Sequence, residues 1–333
     1  MSIQLGTTAY IGIGLENTAG TAVSASKYIP FVTCTIRGVQ ETLYDESGKG
    51  VREKNFGAVT GKKRGEGDIE IYIDAENAPY LIYPALGSIS TSTASGESDV
   101  YEHTITRKAS NPPKTMTVIY NDSYDTRKYV YATINTLELN VADGLATIST
   151  NILSKFPSSG SASRTLTSER ILAFKDYTVK MGSGANSTTA LAAAALATAK
   201  KLRSFKLTIN NNAEAHYVSG DGDADHIAIG QLEITGEYVL FYEDTTERDF
   251  YETLLDSTNP VRAMIVTFTG DSIGSAETEE IEIQIPNFKL NDRTVDTAVS
   301  GFMAETLAFT AMYDNTAAKS IQVKITNETA SYW

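Results

Sequence analysis

The sequence holds one cysteine and three histidines in 333 residues, and only 28 Lys and Arg stand against 41 Asp and Glu. Each shortage removes a class of function. A lone thiol, Cys34, forms neither an intrachain disulfide nor a cysteine zinc site. Set in the alternating run Phe31 to Ile36, it reads as a small buried hydrophobe. His103, His216 and His226 stand in unrelated contexts, with no HExxH or Cys–His spacing, and no Gly-x-Ser-x-Gly elbow is present. Gly57–Lys63 (GAVTGKK) departs from a phosphate-binding loop in spacing and in its Ser/Thr, and Gly12-Ile13-Gly14 lacks the third glycine of a dinucleotide fingerprint. The chain is therefore read as a non-enzyme with no cofactor and no metal. The net charge of −13 counts against capture of nucleic acid by a general positive field. No window approaches 18 uninterrupted apolar residues, and MSIQLGTTAY has neither the basic start nor the apolar core of a secretory signal. A soluble protein made in a reducing cytoplasm is expected.

What the chain does have is repetition. Gly67–Gly87 (GDIEIYIDAENAPYLIYPALG) and Glu237–Ser257 (EYVLFYEDTTERDFYETLLDS), 170 residues apart, each pass from an alternating run into a short helical pattern through an acidic residue. Asp74 opens the first helix; Asp244 and Glu247 form a capping-box-like start for the second. Pro79 and Pro84 make the first the poorer helix. A second echo, shifted by 151, preserves an irregularity. Ile134 slips phase before Leu137 in Val130–Leu139, as Ile285 does before Phe288 in Ile281–Leu290, and such slips mark bulges. The two offsets put about 19 extra residues between the blocks of the first copy, in the Ser/Thr/Gly-rich loop Ser88–Pro113. A duplicated, mainly β chain follows: two tandem domains, 1–160 and 161–333, with the boundary at Pro157–Ser163 and one short α-helix flanking each sheet system. Leu202–Asn210 opens the second copy as Phe31–Ile36 does the first. The alanine-rich Gly182–Lys201 reads as a short peripheral helix or an insertion.

Two polar stretches stand out. Gln40–Glu66 is a long excursion with a local cluster of Lys49, Arg52, Lys54, Lys62, Lys63 and Arg64 around Phe56. It is either a solvated loop or an arm that docks on an oppositely charged neighbouring subunit. Asp221, Asp223 and Asp225 resemble the start of a calcium loop, but Ala224, His226 and Leu232 leave its pattern, and a turn between strands accounts for them equally well.

Taken together, GTTAYIGIGLENTAGTAV with KYIPF, GEGDIEIYIDAENAPYLIYPALG, AIGQLEITGEYVLFYEDTTERDFYETLL, and EEIEIQIPNFKLN with GFMAETLAFTA resemble the siphophage major tail tube proteins in their duplicated form. The resemblance implies two tube folds, each a sandwich or partial barrel. It implies trimeric, pseudo-hexameric rings stacked into the conduit for genome delivery. Its partners would be further copies of the chain, the tape-measure, tail-tip and tail-terminator proteins, and double-stranded DNA passing through without specific binding. No membrane is involved, and the location would be the virion tail, with the host cytoplasm during assembly. Arms in such proteins reach the next ring, and Asp45–Arg64 is the matching position, making Lys49, Arg52, Lys54, Phe56, Lys62, Lys63 and Arg64 the contact candidates. An acidic bore is expected, because a basic one would hold DNA. A non-viral β-rich binding or surface-layer protein would share the duplication, but should carry an export signal and clustered surface aromatics. An enzyme with an Asp/Glu pair on a β-sandwich is a third reading, since such pairs come from distant residues.

Overall fold

Alternating apolar residues lay down strands along most of the chain. The computed structural model describes residues 5–109, 114–161, 164–165, 169–182, 198–256, 262–297 and 301–332. The first half contributes β1 (Tyr10–Leu15), β2 (Lys27–Ile29), β3 (Thr33–Cys34), β4 (Arg37–Tyr44), β5 (Ala58–Tyr72), α1 (Pro79–Leu86), β6 (Gly87–Thr93), β7 (Tyr101–Arg107), β8 (Met116–Asn121), β9 (Thr126–Val141), β10 (Thr147–Ser154) and β11 (Ser158–Ser159). The second contributes β12 (Tyr177–Met181), β13 (Thr198–Lys200), β14 (Leu202–Asn210), β15 (Glu214–His216), β16 (His226–Ala228), β17 (Glu233–Phe241), α2 (Thr246–Asp256), β18 (Arg262–Ile273), β19 (Glu277–Asp296), β20 (Ala304–Ala311) and β21 (Gln322–Asn327).

A central antiparallel sheet runs through both halves. Its order is β3 and β4 in tandem, then β5, β10, β9, β14, β17, β20 and β19. The two halves meet where β9 pairs with β14, Leu139 opposite Leu207. β9 and β19 are long enough to turn a corner. Their N-terminal parts pair with β8 and β18 in a second layer, which β1 with β2 and β12 with β13 extend. Between the layers lies the core, built from the inward members of each alternation: Ile69 and Ile71, Leu137 and Leu139, Phe205 and Leu207, Leu307 and Phe309.

The pairing lattice corrects both sequence offsets. Ile148 lies between Ile71 and Leu139, and Glu305 lies in the same way between Leu240 and Val295. The strand offset is therefore 169 (Ile71 to Leu240), with the expected 170 holding only at the turn-forming aspartates that follow, Asp74 and Asp244. The offset of 151 overlaid bulges that do not correspond. β9 and β19 each carry two. Val130-Tyr131 faces one residue of β8, as Pro286-Asn287 faces one of β18; further on, Asn135 and Asn291 are the extra residues. Matching Tyr129 to Ile285 and Ile134 to Leu290 gives 156. Two slips so close together let a single-slip pattern be laid on either one.

Two other expectations are revised. The excursion from Gln40 is a hairpin, β4 paired with β5 from Arg37 opposite Glu66 to Tyr44 opposite Ala58. The Ser88–Pro113 loop is largely a second hairpin, β6–β7, with 110–113 outside the described residues. Most of the alanine-rich segment, 183–197, also lies outside the described residues, and β13 ends it.

α1 is buried on every side, with Pro79 at its first position and Gly87 closing it at φ 92°. Asp74 does not open the helix as expected: its Oδ1 accepts from Glu76 N–H at 3.0 Å and Asn77 N–H at 2.6 Å, closing a turn that precedes the helix, whose first residue is Pro79. Asp244 caps α2 through Thr246 N–H at 2.7 Å. Glu247 does not complete a capping box; its carboxylate turns inward to Arg262 Nη1 (2.5 Å) and Lys200 Nζ (2.9 Å), with the Tyr238 hydroxyl donating from 3.2 Å. Burial alone would raise the Glu247 carboxyl, but the two cations outweigh it and hold it low.

The β6–β7 hairpin does not stay with its own half. β7 pairs with β21, and β21 with β19, so the hairpin closes the far edge of the second layer. His103 of β7 seals the seam. It is fully buried, with Nε2 donating to Thr329 O (2.9 Å) and Asn327 Oδ1 (3.1 Å) and Nδ1 accepting from the Thr91 hydroxyl (2.8 Å). Tyr332 stands edge-on to it at 4.8 Å. Desolvation pushes the imidazole below its ordinary 6.5, so the folded chain binds fewer protons than the unfolded one just below that pH. Stability contributed here is complete above about 6.5 and falls as pH drops. We expect the melting temperature of the wild type to fall more between pH 7.5 and 5.5 than that of His103→Gln; equal falls would assign the acid sensitivity elsewhere.

Candidate functional site: an exposed arm and an acidic sheet face

The hairpin β4–β5 projects as a ribbon with little behind it. Every residue of β4 except Val39 is exposed, including Leu43 (47%) and Tyr44 (57%), and Val59 opposite them is 66% exposed. A two-stranded ribbon with both faces wet is marginal by itself, and its apolar residues are uncovered in the single chain.

The seven candidate residues divide along the arm. Lys49, Arg52, Lys54 and Phe56 lie at its tip. Lys49 Nζ bonds Asp45 Oδ2 at 2.6 Å and stands 4.7 Å over the Phe56 ring; Lys54 pairs with Glu46 at 3.0 Å, and Arg52 is exposed. Hydrogen bonds from Lys49 and then Ser47 hold the Asp45 carboxyl at about 2, which keeps the tip pair ionised. Lys62, Lys63 and Arg64 lie at the base and are engaged within the chain. Lys62 covers the Tyr217 ring (4.9 Å), Lys63 covers Phe156 (5.2 Å) and its N–H donates to Gly222 O (2.8 Å), and Arg64 pairs with Glu66 (2.7 Å). The aspartate string meets them there. Asp223 Oδ1 accepts from Phe156 N–H (2.8 Å), and Asp221 Oδ1 accepts from Asp223 N–H (2.9 Å). Both are turn-forming carboxylates, and among the described residues no group of three or more metal-binding side chains occurs.

The second surface is the solvent face of the central sheet, which alternation makes polar. β5 presents Glu66, Asp68 and Glu70; β9 presents Glu138; β17 presents Glu233 and Glu237; β19 presents Asp292 and Asp296. Lys206 on β14 pairs with Glu138 at 2.9 Å, and serine, threonine and asparagine fill much of the remainder. The sheet's two ends, β3–β4 and the Asp292–Asp296 part of β19, have no further strand alongside among the described residues.

Two buried polar sites carried no sequence signal. Glu16 accepts from four donors, the Thr115 and Thr117 hydroxyls and the N–H groups of Gly20 and Tyr131, at 2.7–2.9 Å. Arg262, set in the Glu247 site, stacks 3.6 Å over Phe250. Their partners lie on other elements of the fold, Thr115, Thr117 and Tyr131 for Glu16 and helix α2 for Arg262, so no local motif could mark them.

A mainly β chain with an exposed arm, a polar sheet face and strand edges open among the described residues fits the class of self-assembling structural proteins. The model of the phage tail tube protein family matches residues 6–311, and the chain belongs to that family. No curated protein matches it.

Proposed function

We propose that this chain carries two tube folds, with the division near residue 160, and closes as a trimeric, pseudo-hexameric ring. Such rings stack into the conduit for genome delivery. The observation that carries the reading is the junction between the halves. β9 and β14 pair across it, and the equivalents of those strands, β19 and β3–β4, end the sheet unpaired. Carrying the β9–β14 register over sets Val295 opposite Ile36 of the next chain and Thr294 opposite Arg37, with Asp292 diagonal to Arg37 on the same face. Each chain supplies two four-strand units, so three chains close six, and head-to-tail contacts propagate the ring. The acidic sheet face then lines the bore, where it repels phosphate. The arm tip, with Lys49, Arg52, Lys54 and Phe56, reaches the neighbouring ring, while Lys62, Lys63 and Arg64 brace its base. The tape-measure, tail-tip and tail-terminator proteins are the further partners, the particle's tail the final location and the host cytoplasm the place of assembly.

Negative-stain microscopy with light scattering tests this. Wild-type chains should form threefold or pseudo-sixfold rings and hollow tubes. Arg37→Glu, which sets like charge beside Asp292, should remain a folded monomer of unchanged melting temperature and reduce tube mass at least tenfold. Tubes of normal yield from Arg37→Glu would reject the register.

A further inference from the structure

The two halves differ at one place where their lattices coincide. In the first half, Ile73 N–H donates to Ala146 O at 3.0 Å. Leu172 completes the site: its N–H donates to Ile73 O at 2.8 Å, and its carbonyl accepts from Ala146 N–H at 3.1 Å. All three residues are buried. In the second half the equivalent bond runs from Tyr242 N–H to Met303 O at 3.1 Å. Among the described residues nothing takes the place of Leu172 there, and Tyr242 O and Met303 N–H have no backbone partner. Phe302 is 88% exposed beside them and stands edge-on to the exposed Phe241 at 6.4 Å. A cleft of about 180 Å³ lies alongside, with Leu240, Phe241, Glu243 and Glu305 in its walls. The second half thus ends in an apolar opening with one backbone donor and one acceptor unused.

The tip of the β4–β5 arm lies at the opposite end of the same sheet. Register carries that end from strand to strand: Gly65 stands opposite Ser154, Leu153 opposite Thr133, Thr136 opposite Asn210, Asn210 opposite Glu233 and Thr235 opposite Thr310. From Gly65 back to Ala58 the ribbon runs about 23 Å further out, and the tip follows. The gap comes directly after Phe241 opposite Ala304, the last pair at the other end. Head-to-tail stacking therefore brings the tip of one ring to the gap of the next. At the tip Val51 is 59% exposed and Arg52 is exposed. Among the described residues the backbone of neither has a partner, and no carboxylate pairs with Arg52.

We propose that Val51 of one ring fills the Tyr242–Met303 gap of the next, its N–H donating to Tyr242 O and its carbonyl accepting from Met303 N–H, as Leu172 does within the first half. The inference rests on the reading above that the arm tip reaches the neighbouring ring, and it names where the tip lands. Leu172 belongs to an antiparallel bridge whose next pair is Leu145 with Ala173. Carried over, that pair is Phe302 with Arg52. The guanidinium then lies against an exposed aromatic ring. It also comes within reach of Glu243, an exposed carboxylate beside the gap that has no cation paired to it among the described residues. Charge and apolar surface left open at each end of the chain are thus complementary. The first half cannot take the tip, because Leu172 already occupies its site, so a ring offers as many gaps as arms.

In a Cys34→Ala background, Arg52→Cys with Phe302→Cys, assembled under reductant and then oxidised, should form disulfides that run from ring to ring. A non-reducing denaturing gel then shows a ladder climbing past the trimer, because each chain is linked to one above and one below. Arg37→Cys with Thr294→Cys links chains within a ring and should stop at the covalent trimer. A ladder from the 52/302 chain supports the proposal. Tubes of that chain without a ladder overturn it; loss of tubes on replacing Glu46–Asn55 would then keep the arm as the inter-ring contact, with its target elsewhere. Phe302→Ser decides the matter if the paired cysteines themselves block stacking. It should melt as wild type, form rings and lower tube mass roughly tenfold or more. Tubes of normal mass from Phe302→Ser overturn the proposal. A parent chain that forms no tubes rejects the arm reading and the proposal together.

Discussion

Replacing Glu46–Asn55 by a short Gly-Ser turn should leave a chain that melts within about 2 °C of wild type and forms no tubes. The first half of that expectation follows from where the tip's bonds go. Asp45 takes Ser47 and Lys49, Lys54 takes Glu46, and Asp45 and Phe56 close the base of the loop, so these contacts stay within the arm. No core side chain is lost. The second half follows from the exposure of Val51 and Arg52, which the replacement removes and the single chain leaves uncovered. The deletion stops short of Ala58 because β5 begins there and Lys62 and Lys63 brace the ribbon against Tyr217, Phe156 and Gly222. Microscopy and a thermal melt decide it. Tubes of normal length would place the inter-ring contact elsewhere on the chain, and a large loss of melting temperature would show that the tip supports the fold.

The sequence made the strands legible wherever one face is buried. β14 occupies the expected Leu202–Asn210, since the core selects one parity of side chains. β4, β6 and the start of β5 were missed for the same reason. Arg37–Tyr44 is wet on both faces, and Gly87–Thr93 (GSISTST) is polar on both, so neither alternates. Their strand character comes from pairing with a neighbour, which no local pattern encodes. Asp74 and Asp244 each form a turn after an alternating run, and β9 and β19 carry bulges where the phase slips put them. Their correspondence was misjudged because each strand carries two. The arm was visible as a charge cluster, but its division into an exposed tip and a braced base depends on Tyr217, Phe156 and Gly222, far along the chain. The acidic face was expected only as net charge; its assembly on one side of one sheet needed the register.

That face carries the second large effect. Asp68 and Glu237 occupy equivalent positions in the two halves, since Ile69 and Tyr238 beside them pair with Thr150 and Leu307. Both are exposed, and among the described residues the side-chain bond at issue is the one Asp68 accepts from Asn151 Nδ2 at 2.8 Å. Asp68→Lys with Glu237→Lys should therefore fold and assemble, while each ring gains six lysines on one belt of the proposed bore. Wild-type tubes should bind no duplex DNA at 50 mM salt. The variant should hold linear duplex there and lose roughly a thousandfold or more of that affinity by 200 mM, as expected when about six phosphates are neutralised. Topology separates the bore from the outer wall: a closed circle cannot thread a tube, so it should not be held. Equal binding of linear and circular DNA would put Asp68 and Glu237 on the outside. No binding of either would mean that the sheet face is covered in the assembly. Retention of linear DNA alone would explain the acidic balance of the chain as a property of the conduit, because a wall that binds the genome tightly would also stop it from leaving.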